Sequence, residues 1–208
     1  MLGVIDYGGG NFRSVCNALN YLEIPYKEIS QPEDFEGISH IILPGVGAFK
    51  NCIDRLHTLN LVERLKRELL DDSKFFLGIC VGHQILSSFG TEFEEQEGLN
   101  LIPGKTIKLE PIKNFPVPHV GWTEVKQLKK SELFKDIENE ATFYFVHSFY
   151  IDAENQEDVL ATVSYGKEIT AVVGKGNIFG IQFHPEKSQA NGLQLLKNFS
   201  EMKNESLF

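Results

Sequence analysis

The sequence FFLGICVGHQ at residues 75–84 is the strongest indication of how this chain folds. Its first five residues are apolar or glycine, which is typical of a strand buried on both faces. Gly78 and Gly82 flank Cys80, and small residues around a reactive side chain are characteristic of a sharp strand-to-helix turn that presents a nucleophile. We therefore predict that Cys80 lies at such a turn, beside helix N–H groups that favour its thiolate. The alternative is a small, inert core cysteine.

The segments on both sides of this sequence alternate between strand and helix patterns. Apolar runs predict strands at residues 2–6, 24–29 and 38–43. Helical spacing of apolar residues predicts helices over 11–22, 56–70 and 81–89. This β-α-β-α order predicts a parallel sheet with helices on its faces.

The second half of the chain is richer in short strand patterns. They occur at residues 101–109, 117–125, 141–146, 159–163, 169–173 and 178–182, before a final helix predicted over 188–202. The sequence has no internal repeat and no low-complexity linker. We expect a single domain over residues 1–208 with an α/β fold. A central, mostly parallel sheet would be flanked by helices and extended by extra strands in the second half.

The composition excludes several classes of protein. The 208 residues are 42% hydrophobic and 24% charged, which is typical of a globular domain rather than a disordered chain. Twenty basic and 29 acidic residues leave a net charge of −9, which argues against a nucleic-acid partner or an anionic membrane surface. Three cysteines, an odd number without metal-site spacing, argue against a disulfide framework. With no signal-peptide pattern and no membrane-length apolar run, we expect a cytoplasmic protein.

A second chemical signal is the sequence QFHPEK at residues 182–187. An apolar strand ends there, and Pro185 restricts the backbone between His184 and Glu186. Two residues apart in extended chain, these side chains lie on the same side, so the carboxylate can orient the imidazole. A surface histidine beside a charged turn is the alternative when His184 is considered alone. Together with Cys80, the pair completes a nucleophile, base and orienting group for acyl transfer.

A third signal is PGVGAF at residues 44–49, directly after a predicted buried strand. Its glycines allow backbone N–H groups to point at a developing oxyanion, and a second N–H would come from the residue after Cys80. Considered alone, this motif is more often only a turn. We also predict that the paired glycines lower the cost of a peptide flip in this loop.

These three motifs resemble, in order and spacing, those of class I, or triad, glutamine amidotransferases. Three further segments narrow the resemblance: DYGGGNFRSV at 6–15, PHVGW at 118–122 and YFVHSFY at 144–150. They are similar to the glutaminase subunits of imidazole glycerol phosphate synthases, a family of histidine biosynthesis. The resemblance covers essentially the whole chain, and it implies the class I glutamine amidotransferase-like fold.

The resemblance also implies a role for each matching residue. Cys80 would attack the side-chain amide of glutamine to form a thioester, His184 would carry the proton to ammonia, and Glu186 would orient His184. Residues implied in the oxyanion hole are Val46, Gly47 and Val81. Residues implied to contact glutamine are Gln84, Glu92, His147, Ser148 and Phe149. Residues implied to face a (β/α)8-barrel synthase subunit, in a heterodimer, are Asn11, Trp122, Tyr144 and Lys187. No cofactor and no metal are implied.

The sequence departs from the usual pattern of that subunit family at three positions. His83 stands where Met is usual, Thr123 where Asn is usual, and Phe149 where Tyr is common. These departures leave open a similar glutaminase that feeds a barrel-type synthase in surface-sugar (acetamidino) biosynthesis. A stand-alone cysteine hydrolase of related fold is the other alternative. His83, in the first turn of the helix predicted after Cys80, could be considered as a second catalytic base, but the sequence shows no carboxylate partner near it.

Overall fold

The computed structural model describes residues 1–70 and 73–203. In chain order the strands are β1 Leu2–Ile5, β2 Tyr26–Ile29, β3 His40–Gly45, β4 Phe75–Cys80, β5 Phe89–Gly90, β6 Gln96–Glu97, β7 Gly104–Lys108, β8 His119–Gln127, β9 Thr142–His147, β10 Phe149–Ala153, β11 Val159–Ser164, β12 Glu168–Lys175 and β13 Ile178–Ile181. The α-helices are α1 Phe12–Tyr21, α2 Phe49–Thr58, α3 Leu61–Glu68, α4 Val81–Gln84 and α5 Gln189–Glu201.

A nine-stranded sheet forms the centre of the described structure, in the order β2-β1-β3-β4-β13-β12-β11-β8-β9. The strands from β2 to β13 in this order are parallel, and those from β13 to β9 are antiparallel. A smaller sheet has the order β10-β7-β5-β6. The predicted α/β fold, with a central sheet and extra strands in the second half, is therefore confirmed. The antiparallel half is larger than the sequence suggested.

Two helices differ from the sequence-based expectation. The single helix expected over 56–70 is two helices, α2 and α3, separated at Asn60, whose φ of 56° ends the regular helical path. The helix expected over 81–89 ends at Gln84, because Phe89 and Gly90 pair with β7 instead. The strand β10 was not expected at all; it pairs antiparallel with β7.

The strand order brings three chain segments to one edge of the central sheet. Parallel strands β3, β4 and β13 are neighbours, so their carboxyl ends lie side by side, where open α/β sheets place their sites. Gly45 at the end of β3 is the register partner of Cys80 at the end of β4. The chain leaves β13 three residues before His184. In the described part of the chain, no helix is long and apolar enough to span a membrane.

Candidate active site

Cys80 occupies a strained backbone position between β4 and α4. Its φ of 55° and ψ of −107° lie in a region that residues with side chains rarely adopt. Glycine is required on both sides: a Cβ at Gly78 would lie 2.3 Å from the Gly82 carbonyl oxygen, and one at Gly82 would lie 2.0 Å from the Leu43 carbonyl oxygen. Cys80 therefore lies at the sharp strand-to-helix turn that the sequence predicts.

His184 and Glu186 form a buried pair next to this turn. Nδ1 of His184 lies 2.9 Å from Oε1 of Glu186, and neither side chain is exposed to solvent. Burial lowers the pKa of His184, but the hydrogen bonds and charges of Cys80 and Glu186 outweigh burial and raise that pKa to about 9. The imidazole is thus charged at neutral pH. Because Nδ1 is engaged by Glu186, Nε2 is the atom left to exchange a proton with the Cys80 thiol.

Two polar side chains, Gln182 and Asn11, donate hydrogen bonds to Cys80 and Glu186. Nε2 of Gln182 donates to Sγ of Cys80 at 3.8 Å, a contact that stabilises negative charge on sulfur. Nδ2 of Asn11 donates to Oε1 of Glu186 at 2.5 Å. The sequence assigned Gln182 no role, although residues 182 and 184 share one side of an extended segment. Asn11 was expected at a partner face, and its contact with Glu186 was not foreseen.

A cavity of about 390 Å³ opens in front of Cys80 and His184. Its other lining residues are Val46, Gly47, Val81, Gln84, Glu92, Pro118, Val146, His147, Ser148 and Phe149. The structure therefore gathers every residue that the sequence placed in the oxyanion hole or on the substrate, from four separate segments of chain. A cavity of this volume accommodates a small ligand such as an amino acid.

Hydrogen bonds hold several groups of the cavity wall in fixed orientations. Nε2 of Gln84 donates to the carbonyl oxygen of Phe149 at 2.9 Å. Oε2 of Glu92 accepts from the backbone N–H of Phe49 at 2.8 Å, at the first turn of α2. The φ of Gly47 is 97°, which only glycine adopts readily, so the loop after β3 depends on that residue. Glu92 supplies a negative charge suited to an ammonium group.

The remaining residues expected at a partner face lie outside the cavity. Trp122 and Tyr144 are register partners on β8 and β9, and their ring centroids are 5.9 Å apart. Nζ of Lys187 lies 5.9 Å from the Tyr144 ring centroid. Trp122 is 46% exposed, unusually high for such a large apolar side chain. These three residues, named here the Trp122 cluster, form one surface feature, whereas Asn11 contacts the buried Glu186.

A comparison with protein families matches residues 3–202 to the family described as Glutamine amidotransferase class-I. The chain belongs to the class-I glutamine amidotransferase family. Similar amidotransferases include proteins named Imidazole glycerol phosphate synthase subunit HisH. That of Desulfitobacterium hafniense is 42% identical over 99% of this chain and 96% of its own length. The subunit HisH 1 of Campylobacter jejuni is 41% identical over 97% of this chain and its own full length.

Solved structures show the same amidotransferase fold at low sequence identity. One titled "Crystal structure of glutamine amidotransferase" has a TM-score of 0.75, is 20% identical, and covers 96% of this chain and 97% of its own. Another, "Structure of PurLQS from Thermotoga maritima", has a TM-score of 0.76 at 18% identity and covers 95% of this chain and 96% of its own. The central sheet and its flanking helices are therefore a shared scaffold of these proteins.

His83 is a core residue of this amidotransferase. It is fully buried, and burial, together with His147, lowers its pKa to about 3. A Cβ at Gly180 would lie 2.5 Å from its Nδ1, so the ring packs tightly against β13. Within the described residues no carboxylate bonds to it. A neutral ring packed against the sheet does not reach the cavity in front of Cys80.

Proposed function

We propose that this amidotransferase is the glutamine-hydrolysing subunit of an imidazole glycerol phosphate synthase in histidine biosynthesis. It would release ammonia from glutamine and deliver it to a (β/α)8-barrel synthase subunit. The observation that carries the proposal is the strained Cys80, which shares one cavity with a charged His184. Near-full-length similarity to proteins that bear the synthase subunit name supports the choice of pathway.

The proposed reaction begins when the Cys80 thiolate attacks the side-chain carbonyl carbon of glutamine. Negative charge then develops on the amide oxygen, and the N–H groups of Gly47 and Val81 would stabilise it. His184 is protonated at neutral pH, so it can give its Nε2 proton to the nitrogen that leaves as ammonia. The remaining γ-glutamyl thioester is hydrolysed when water, deprotonated by His184, attacks it.

Binding of glutamine would use the polar groups on the cavity wall. Glu92 would pair with the α-ammonium group, since its charge is fixed at the N-terminus of α2. Gln84 would accept a hydrogen bond from the ligand, because its amide nitrogen already donates to Phe149. His147 and Ser148 would complete the wall with backbone contacts. A glutamine held in this way presents its amide carbon to Cys80.

The Trp122 cluster is the proposed docking face of the barrel subunit. A half-exposed tryptophan beside a tyrosine and a lysine has the composition of an interface anchor. The complex would be a heterodimer in the cytoplasm, where a reducing environment keeps the Cys80 thiol free. Docking there would place ammonia release beside the synthase site.

The deciding experiment measures synthase turnover of the assembled complex with glutamine and with ammonium salts. Cys80→Ala should reduce glutamine-dependent turnover by about a thousandfold or more, because the nucleophile is lost. Ammonium-dependent turnover should stay within about twofold of the unmodified complex, since only the ammonia source is removed. Cys16→Ala, at a buried cysteine in α1, is the control and should retain both activities.

Two outcomes would contradict the proposal. Full glutamine-dependent turnover in Cys80→Ala would remove Cys80 from the reaction. Stimulation of glutamine hydrolysis only by a barrel subunit of sugar amidination, and not by that of histidine biosynthesis, would assign the chain to the other pathway.

A further inference from the structure

Two buried histidines face each other next to the glutamine cavity, outside the Cys80, His184 and Glu186 group. His119 on β8 and His147 on β9 are register partners, and Nδ1 of His119 lies 3.0 Å from Nε2 of His147. The His119 ring is stacked against Phe145 and Tyr165, with centroid distances of 4.8 and 3.9 Å. Both imidazoles are thus held rigidly in one geometry.

The outer ring nitrogens of this pair also have partners. Nε2 of His119 lies 2.8 Å from Oγ1 of Thr123, and Nδ1 of His147 lies 2.8 Å from the carbonyl oxygen of Phe149. All four ring nitrogens are therefore hydrogen-bonded. The contacts form one continuous chain, Thr123–His119–His147–Phe149, named here the histidine chain.

Only one arrangement of protons fits the histidine chain when both rings are neutral. A carbonyl oxygen only accepts, so Nδ1 of His147 carries a proton and its Nε2 must accept. His119 then donates from Nδ1 and accepts at Nε2 from the hydroxyl of Thr123. Burial lowers the pKa of His119 to about 4. Burial is also the main cause that lowers the pKa of His147 to about 3, so both histidines are neutral at pH 7.

The Phe149 carbonyl connects the histidine chain to the nucleophile. It accepts a second hydrogen bond, from Nε2 of Gln84 at 2.9 Å, which fixes the orientation of that amide. The same Nε2 donates to Oε1 of Gln182 at 3.2 Å, which leaves Nε2 of Gln182 to donate to Sγ of Cys80 at 3.8 Å. The side-chain oxygen Oε1 of Gln84 then remains as an acceptor for a ligand in the cavity.

The other end of the histidine chain lies at the molecular surface. Thr123 is partly exposed and directly follows Trp122, the anchor of the proposed docking face. The hydrogen bonds therefore run from the residue beside that face to the wall of the glutamine cavity. A change in the position of Thr123 would remove the donor to Nε2 of His119, and a shift of that ring would reach the Phe149 carbonyl through His147.

We propose that Thr123 and His119 are positioning residues for glutamine, because their hydrogen bonds hold the His147 ring in place and so fix the Phe149 carbonyl and the Gln84 amide. This inference rests on the proposed glutaminase function for its ligand. The proton order itself is a property of the protein alone, so it can be tested without turnover.

The first test is the long-range ¹H–¹⁵N spectrum of the histidine side chains, which distinguishes the two neutral tautomers and the cation. We expect His119 and His147 both to carry a proton on Nδ1 and none on Nε2 at pH 7. Thr123→Val removes the hydroxyl donor, so the Nε2 resonance of His119 should move toward that of a nitrogen without a hydrogen bond, while the proton stays on Nδ1 because Nε2 of His147 still accepts it. Thr123→Ser keeps the hydroxyl and should preserve the spectrum of the unmodified protein.

The second test separates binding from chemistry in the assembled complex. Thr123→Val should raise the KM for glutamine by about fivefold with kcat within about twofold, because one partly buried hydrogen bond that helps to orient the binding wall is lost. Thr123→Ser should restore the original KM. Tyr165→Phe is the matched control: it keeps the ring stacked on His119 but removes the hydroxyl bond to Pro116, and KM should not change.

The outcomes distinguish this inference from the proposed function. An Nε2–H tautomer or a cation at either histidine in the unmodified protein would overturn the proton order. An unchanged KM in Thr123→Val, or an equal rise in Tyr165→Phe, would show that the histidine chain does not position glutamine. If no form hydrolysed glutamine, the proposed function would fail, whereas the spectrum would still decide the proton order.

Discussion

His184 is a fully buried imidazole that nevertheless favours its charged form. Removal from water alone would make it neutral, as it does for His83. The difference lies in the partners: Cys80 and Glu186 favour the charged form of His184 and raise its pKa, whereas His83 has packing contacts. Asn11 adds a second donor to the same carboxylate oxygen, which holds the Glu186 side chain in place. A protonated imidazole beside sulfur is the state that ammonia release requires.

The raised pKa of His184 predicts how stability depends on pH. Its folded value of about 9 lies above the ordinary 6.5, so the folded protein binds this proton more tightly than the unfolded chain. The resulting stabilisation is fully present below pH 6.5 and is lost as the pH rises through about 9. Urea unfolding from pH 6 to 10 should show this decline, and Glu186→Gln should make it shallower.

The control for that experiment is Glu94→Gln, which removes an exposed carboxylate of the acidic segment after β5. It should leave the pH dependence of unfolding unchanged. A titration of His184 followed by NMR gives the same information directly. If the His184 titration had the same midpoint pH in the unmodified protein and in Glu186→Gln, Glu186 would not be what favours the charged form of His184.

At the scale of elements, the active-site turn depends on how closely β3, β4 and α4 approach one another. The α4 backbone passes so near the end of β3 that residue 82 has no room for a Cβ. Helix α4 itself is a single turn, because the chain leaves it to form β5. The strained φ of Cys80 is thus maintained by two strands and not by a long helix.

Gly82→Ala should therefore destabilise the protein by about 3 kcal/mol, since the new Cβ meets the Leu43 backbone, which cannot move alone. Glutamine hydrolysis should fall with it, because the turn that presents Cys80 must open. Gly37→Ala is the control: its φ is 75° with open space around the Cβ, so only the conformational cost of about 1 kcal/mol applies. If urea unfolding gave the same loss of unfolding free energy for Gly82→Ala and Gly37→Ala, the steric explanation would be refuted.

At the scale of the whole molecule, the described residues provide the cavity in front of Cys80 and an exposed aromatic face, joined by β8 and β9. Both strands lie at one end of the central sheet, and both contribute to each feature. Trp122 on β8 and Tyr144 on β9 belong to the Trp122 cluster. Pro118, directly before β8, and His147, at the end of β9, line the cavity. A partner bound at this face would therefore contact the elements that carry the cavity wall.

Trp122→Ala should weaken binding to the barrel subunit about 30-fold, equivalent to about 2 kcal/mol, because a large half-exposed anchor is removed. Isothermal titration calorimetry with the purified barrel subunit measures the effect. Tyr21→Ala, at an aromatic residue 76% exposed on α1, is the matched control and should bind normally. If the two variants bound equally well, the docking face would lie elsewhere.

Sequence reasoning was most successful where a motif and its neighbours lie within a few residues. The turn at Cys80 could be predicted because the two glycines needed for it are two positions away. The pairing of His184 with Glu186 followed from the same local spacing. The end of α4 could not be predicted, because residues 89 and 90 pair with β7 although the local pattern favours a helix. The extent of the antiparallel half could not be predicted either, because it depends on long-range pairing such as that of β13 with β12.

The α/β class, the sharp turn at Cys80 and the amidotransferase resemblance could all be inferred from the sequence, since each depends on local pattern and residue type. The hydrogen bonds of Asn11 to Glu186, 175 positions away, and of Gln182 to Cys80 are visible only in the three-dimensional structure. The pairing of His119 with His147 is of the same kind. Such contacts depend on strand order and register, which result from packing of the whole chain and leave no periodic signal in any one segment.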